Sequence, residues 1–220
     1  MRPLITVIAG PNGSGKSFWA DILERQDWFS GTPFLNPDTI AARLGDPNDL
    51  AVTLQAARDA ESLRERWLAE GRSFAFETVF SAPDKVAFLR RAREAGYRIC
   101  MFFLSTGNPE INAARVARRV MAGGHDVPIG KIISRYGKSH TQVAQVAPWV
   151  DRLYLLDNAV DGEAPILCAW SNAGQWRVPQ GDHALPTWAA PIVGCNAATP
   201  DSAATGRGWQ ITTRCARLTE

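Results

Sequence analysis

Apolar and polar positions along this chain follow two periods. Four short runs, Leu4–Ala9, Ser73–Val79, Tyr97–Leu104 and Arg152–Leu156, are largely apolar and bounded by charged or turn-forming residues. Runs of this length and texture predict strands buried on both faces of a sheet. Between them lie longer stretches with helical spacing. Phe18–Leu23 is amphipathic, and Asp49–Glu70 is charge-studded, offers Leu54, Leu63 and Trp67 for burial and closes at Gly71. Pro83–Ala95 closes at Gly96, Pro109–Met121 begins on proline and runs into Gly123-Gly124, and Pro128–Val146 follows. Proline in a first turn and glycine just past the end are helix boundary signals. Pro33–Asn36 adds a short extended piece. Strands alternating with helices predict an α/β chain in three layers, with a mainly parallel sheet and crossover helices.

Beyond Asp157-Asn158 the texture changes. Pro165–Pro179 reads as two short strands around Ser171-Asn172-Ala173-Gly174, a terminal hairpin within residues 160 to 180. Residues 181–220 show little periodicity, although Trp188, Ile192, Val193, Trp209 and Ile211 make them more apolar than an ordinary disordered tail. The expected organisation is one domain over 1–180 and a tail of open order over 181–220.

The most informative chemistry sits directly after the first strand. Gly10-Pro11-Asn12-Gly13-Ser14-Gly15-Lys16-Ser17 fits G-x-x-x-x-G-K-[ST], the phosphate loop, in its strand-to-helix setting. Glycines at 10, 13 and 15 allow dihedrals closed to other residues, so successive N–H groups, those of Asn12 and Ser14 included, turn inward and cradle a phosphate. Lys16 supplies a mobile charge for the β- and γ-phosphates, and Ser17 is the expected magnesium ligand at a helix N-terminus. The expected ligands are therefore a nucleoside triphosphate and Mg²⁺. No N-K-x-D guanine-reading motif occurs, which disfavours a GTPase.

Composition narrows the class. The chain has 220 residues, 45% hydrophobic and 21% charged, enough for one good core. A net charge of +2 is too small for a nucleic-acid footprint, although Arg58, Arg64, Arg66, Arg90, Arg91, Arg93, Arg115, Arg118 and Arg119 crowd the middle third. Cys100, Cys168, Cys195 and Cys215 form no C-x-x-C pair, so neither zinc nor a redox motif is indicated. No apolar run reaches the roughly 18 residues of a membrane helix, and the early phosphate loop leaves no room for a signal peptide, so a cytoplasmic enzyme is expected.

In open α/β sheets ligands bind at the carboxyl ends of the strands. Asp38, in Asn36-Pro37-Asp38-Thr39, is either a general base for an attacking hydroxyl or the N-cap of a helix starting near Thr39. Glu77 and Thr78 end an apolar strand, where two polar groups need partners; Glu77 orients substrate, holds magnesium-bound water or pairs with a core arginine. Asp157, followed by Asn158, fits a turn or the nucleotide-base end better than a metal-associated aspartate. Arg115, Arg118 and Arg119 have the spacing of one helix face just before the Gly-rich break, with Lys131, Arg135 and Lys138 on the next helix. This is either an arginine-bearing lid over about 115–138, closing on the transferred phosphate, or a solvated basic face. His125 is assigned a structural or substrate-facing place.

Taken together, Ala9–Ser17, Asn36-Pro37-Asp38, Glu77–Ser81, Arg115 to Val120, Gly123–Pro128 and Asp157-Asn158 resemble the zeta toxin family of phosphate-loop kinases, in a short, compact form, across about residues 4–158. The resemblance implies an ATP-dependent kinase acting on a hydroxyl of a UDP-activated amino sugar such as UDP-N-acetylglucosamine. It implies Asp38 as base, Glu77 and Thr78 as substrate contacts, and Arg118, Arg119 and Arg135 as the nearest counterparts of the phosphate-binding arginines. It leaves room for an antitoxin partner. Two other readings stay open: a kinase of another hydroxyl, such as a nucleoside, dinucleotide or polynucleotide end, and an ATP-hydrolysing switch.

Overall fold

The computed structural model describes residues 2–124, 126–179, 185–194 and 199–201. Its frame is a sheet of eight strands among the described residues: β1 (Leu4–Ala9), β2 (Phe34–Leu35), β3 (Phe74–Thr78), β4 (Arg98–Ser105), β5 (Arg152–Asp157), β6 (Ile166–Asn172), β7 (Gln175–Pro179) and β8 (Thr199–Asp201). Their order is β2-β3-β1-β4-β5-β6-β7-β8. The first five run parallel, and β6 and β7 continue the sheet antiparallel from β5. The helices are α1 (Lys16–Glu24), α2 (Pro37–Leu44), α3 (Leu50–Ala69), α4 (Pro83–Glu94), α5 (Pro109–Met121), α6 (Ile129–Val146) and the short α7 (Ala190–Val193).

Both faces of the central strands are buried, which explains their nearly continuous apolar sequence. In β4, Ile99, Met101 and Phe103 face one layer, while Cys100, Phe102 and Leu104 face the other. The first layer draws on α3, α4, α6 and α7 through Trp67, Phe88, Leu89, Val143, Val146, Ile192 and Val193. The second is covered by α1 through Trp19, Ala20 and Leu23, with Phe29 beside them. Three layers thus follow from period-two burial in the sheet and one apolar stripe on each helix.

The predicted elements match within a residue or two at their ends. Asp49 caps α3, its carboxylate accepting from Ala51 N at 2.7 Å. The terminal hairpin differs in extent and attachment. β6 continues through Asn172, and the turn is only Ala173-Gly174, both at positive φ (48° and 80°), the geometry a two-residue hairpin needs. It lengthens the main sheet through β5 rather than standing apart. His125, Trp209, Ile211, Cys195 and Cys215 lie outside the described residues. Cys100 and Cys168 are both buried, and burial pushes the Cys168 thiol up to about 12. Among the described residues no helix is long and apolar enough to cross a membrane, and no His, Cys, Asp and Glu cluster has the make-up of a metal site.

Residues 185–194 pack over the carboxyl end of the sheet. Trp188 lies edge-on to His140 and near Phe103, and its Nε1 donates to Asp157 Oδ2 at 2.8 Å. His140 Nδ1 is 2.8 Å from the Tyr136 carbonyl, which only accepts, so Nδ1 carries the proton. Its Nε2 therefore accepts from Ser105 Oγ at 3.0 Å, and Ser105 Oγ in turn receives Tyr136 OH at 3.2 Å. Burial holds His140 below its ordinary pKa of 6.5. The unfolded chain then binds more protons than the native one as the pH drops through the histidine range, so this contribution to stability is present above that range and lost on acidification. Thermal melts from about pH 8 down to about pH 5 are expected to show a falling Tm, with a shallower fall in His140→Gln. Equal slopes in the two proteins would remove His140 as the cause.

Candidate active site

The carboxyl ends of β3, β1, β4 and β5 lie in a row, because register pairs Ala9 with Thr78, Ala9 with Phe103, and Ser105 with Asp157. A cleft of about 720 Å³ opens along this edge. The phosphate loop lines it together with α2, α3, the segment after β3 and residues of α5 and α6.

The loop is shaped by close backbone approaches. Gly10, Gly13 and Gly15 have φ of 153°, 76° and 92°. A Cβ on Gly10 would meet the Leu104 carbonyl at 2.3 Å, one on Gly13 the Asn112 carbonyl at 2.6 Å, and one on Gly15 the Asn158 side chain at 2.2 Å. Only glycine fits these places, for reasons of both dihedral and space. Two asparagines then fasten the loop: Asn112 Nδ2 donates to Asn12 O at 2.5 Å, and Asn158 Nδ2 donates to Ser14 O at 2.9 Å. Asn112 also meets Thr106 Oγ1, so the start of α5 is tied to the end of β4.

Lys16 and Glu77 form the buried electrostatic centre. Lys16 Nζ donates to Pro11 O at 3.0 Å and stands 3.9 Å from Glu77 Oε1, with both side chains less than a tenth exposed. Burial draws the Lys16 ammonium below its usual range, and nearby Arg119 and Arg135 add to this, while Glu77 and Asp38 oppose it. Burial likewise raises the Glu77 carboxyl, against the pull of Lys16 and the Ser17 hydroxyl. Ser17 Oγ donates to Glu77, with its oxygens at 3.3 and 3.2 Å, and Asn36 Nδ2 donates to Glu77 Oε2 at 3.1 Å. Of the readings left open for Glu77, pairing with a core arginine is not the one seen: its charged partner within ion-pair distance is the loop lysine. A hydroxyl and a carboxylate side by side at a helix N-terminus are the oxygen donors a water-retaining Mg²⁺ takes up together with phosphates, so the residues fit that ion.

Asp38 stands in the first turn of α2 and lines the cleft. The cap is Asn36, whose Oδ1 accepts from Asp38 N at 2.8 Å, so the Asp38 carboxylate is not spent on capping. Thr78 also lines the cleft, and its Oγ1 accepts from Phe80 N at 3.0 Å. Phe80 itself is buried at φ 56°, a strained value for an aromatic residue at the cleft wall.

The basic residues separate. Arg119 and Arg135 line the cleft, and Arg135 Nη1 is 3.5 Å from Asn12 Oδ1. Arg118 does not line it: its guanidinium is engaged with Asp161, which also takes Arg115 Nε at 2.6 Å. Successive helix residues are turned by about 100°, so the 118 and 119 side chains diverge despite their shared neighbourhood in sequence. Lys131 and Lys138 are exposed and stand outside the cleft lining. Asp157 serves a turn, its Oδ1 accepting from Ala159 N at 2.9 Å. Sequence reading missed Asn112 and Asn158 as loop fasteners, since each acts on a segment a hundred or more positions away.

A glycine-rich loop after the central strand of a β2-β3-β1-β4-β5 parallel sheet, with an invading lysine and an adjacent carboxylate, defines the class as a phosphate-loop kinase fold. Within that class the chain belongs to the zeta toxin family, whose profile matches residues 1–158. An uncharacterized protein of Haemophilus influenzae is 28% identical over 127 residues, covering 58% of this chain and 88% of that protein. Among solved structures, the AvrRxo1-ORF1:-ORF2 complex with ATP superposes with a TM-score of 0.63 at 16% identity, over 80% of this chain and 60% of the other. A structure from the PezAT chromosomal toxin–antitoxin system of Streptococcus pneumoniae gives 0.54 at 14% identity, over 71% and 69%. At these identities the likeness is one of fold, and the family and fold together support an ATP-dependent kinase.

The loop geometry makes a graded prediction. Asn158→Ala leaves the buried Ser14 carbonyl unpaired, at a cost of about 1–3 kcal/mol, and is expected to weaken calorimetric ATP binding by about tenfold. Gly13→Ala has to displace α5 backbone and is expected to abolish binding. Wild-type affinity in Gly13→Ala would contradict the loop geometry.

Proposed function

We propose that the protein is an ATP-dependent phosphotransferase that moves the γ-phosphate onto a hydroxyl of a UDP-activated amino sugar, with Asp38 as general base. The observation that carries the reading is the Asp38 carboxylate, which is not used as a cap and shares one cleft with the phosphate loop. The sugar-nucleotide class rests on the family.

In this reading the triphosphate lies on the N–H groups of residues 10–17, with Lys16 on its β- and γ-oxygens. Ser17 and Glu77 would hold Mg²⁺, which would neutralise charge on the phosphates. Glu77 and Thr78 border the acceptor. Asp38 takes the proton of the acceptor hydroxyl as that oxygen bonds to the γ-phosphorus and the bond from phosphorus to the β-bridging oxygen breaks, leaving ADP with the electron pair. Arg119 and Arg135 face the charge on the transferred group, and Arg118 reaches it only if α5 moves away from Asp161. ATP as donor fits a cytoplasmic enzyme. PezAT is a toxin–antitoxin system, and an antitoxin partner belongs to the same reading.

Steady-state transfer from γ-labelled ATP to UDP-N-acetylglucosamine tests the roles. Asp38→Asn is expected to bind ATP normally and lose about 10²–10⁴-fold in kcat. Lys16→Ala is expected to lose ATP turnover altogether. Acceptor labelling at the wild-type rate by Asp38→Asn would refute the base assignment.

A further inference from the structure

The cleft contains, besides the phosphate-loop lysine, a cation whose hydrogen bonding is incomplete. Arg64, on α3, is 5% exposed and lines the cleft together with Arg58 and Lys85. Its guanidinium carbon lies 4.6 Å from the Phe88 ring centroid and 5.5 Å from that of Phe76. These two rings fix the plane of the guanidinium without satisfying its N–H groups. Its Nε is buried and has no hydrogen-bond partner. The nearest carboxylate, Glu61, is 3.9 Å from Arg64 Nη2, beyond hydrogen-bond reach, and its side chain is 59% exposed. The other acidic neighbours are engaged elsewhere. Glu65 takes Arg91 in a two-pronged pair at 3.0 and 2.6 Å, and Asp84 pairs with Lys85. Burial accordingly draws the Arg64 pKa below its ordinary value, more than Glu61, Glu65 and Asp84 restore it.

A buried guanidinium is costly unless an anion meets its donors. The paired Nη groups of arginine match two oxygens of a phosphate, and those of Arg64 are not closed off as its Nε is. We infer that Arg64 is a specificity residue that seats a phosphate or diphosphate group of the acceptor, so that the acceptor is held by its anion at α3 while its hydroxyl meets Asp38. The inference rests on the kinase reading only in assigning that anion to the acceptor. It gives a role to a second group of cations in the cleft, Arg58, Arg64 and Lys85, besides Lys16, Arg119 and Arg135. It also excludes neutral sugars and nucleosides as good acceptors.

The test is equilibrium binding of UDP and of inorganic pyrophosphate to the full chain, with the phosphate loop saturated by magnesium and a non-hydrolysable ATP analogue. Arg64→Gln is expected to weaken binding of both probes by about tenfold or more and to leave affinity for the ATP analogue within about twofold. Arg64→Lys keeps the charge and the stem but not the fork, and is expected to recover only part of the loss, which keeps the test decisive if the glutamine variant folds poorly. In transfer assays the same change is expected to raise KM for UDP-N-acetylglucosamine with little change in kcat. A purely structural arginine would instead lower Tm and leave probe affinity per folded molecule unchanged, and that result overturns the inference, as does failure of the wild type to bind either probe. Transfer that proceeds without dependence on Arg64 removes the anion seat alone. Arg64-dependent UDP binding without any transfer removes the kinase reading alone.

Discussion

The site depends on how tightly the phosphate loop is hemmed in by backbone. Gly10 abuts the end of β4, Gly13 the start of α5, and Gly15 the residue that follows β5, each at a distance that admits no side chain. A loop of inward-pointing N–H groups is a poor structure by itself, since its donors face one another rather than partners. Here the sheet order brings three later segments against it, and Asn112 and Asn158 take up the loop carbonyls that would otherwise point the wrong way. The anion nest is therefore a tertiary object, assembled only when β4 and β5 lie beside β1.

Charge in the cleft follows from the same arrangement. Register sets Glu77 at the end of β3 next to the start of α1, so a lysine and a carboxylate are buried side by side within reach of Ser17 and Asn36. Each ionised group disfavours burial alone, and together they offset much of that cost. In the proposed reaction the lysine side of this pair meets the phosphates and the carboxylate side would meet a hydrated cation. Asp38 and Arg64 line the same cleft, and in the proposed reaction the first accepts a proton while the second donates hydrogen bonds to the acceptor's anion.

Much of this was legible in the sequence. The parallel sheet, the helices and their ends follow from period-two apolar runs, proline starts and glycine stops, all of which act locally. The loop residues, Asp38, Glu77 and Thr78 were legible because they stand next to strand ends, where topology dictates a site. Less was visible where direction around a helix axis decides. Arg118 and Arg119 are adjacent in sequence, yet Asp161 captures the first and the second turns to the cleft. Arg64 looked like one of many surface arginines on a charged helix, and only the placement of Phe76 and Phe88 makes it a buried one. Trp188 carried no readable role either, because its partners Asp157 and His140 are supplied by the fold. The hairpin was read correctly as two strands, while its attachment to β5 is a long-range pairing that local pattern does not encode.

The measurement that bears most directly on the account is the fate of the γ-phosphate in the wild-type protein. Phosphorus NMR of a reaction with ATP, magnesium and UDP-N-acetylglucosamine distinguishes a new sugar phosphomonoester from inorganic phosphate in one spectrum. The account predicts a phosphomonoester on a sugar hydroxyl, formed in step with ADP. Inorganic phosphate alone, released at the same rate with and without the acceptor, would contradict it and leave an ATP-hydrolysing switch in its place.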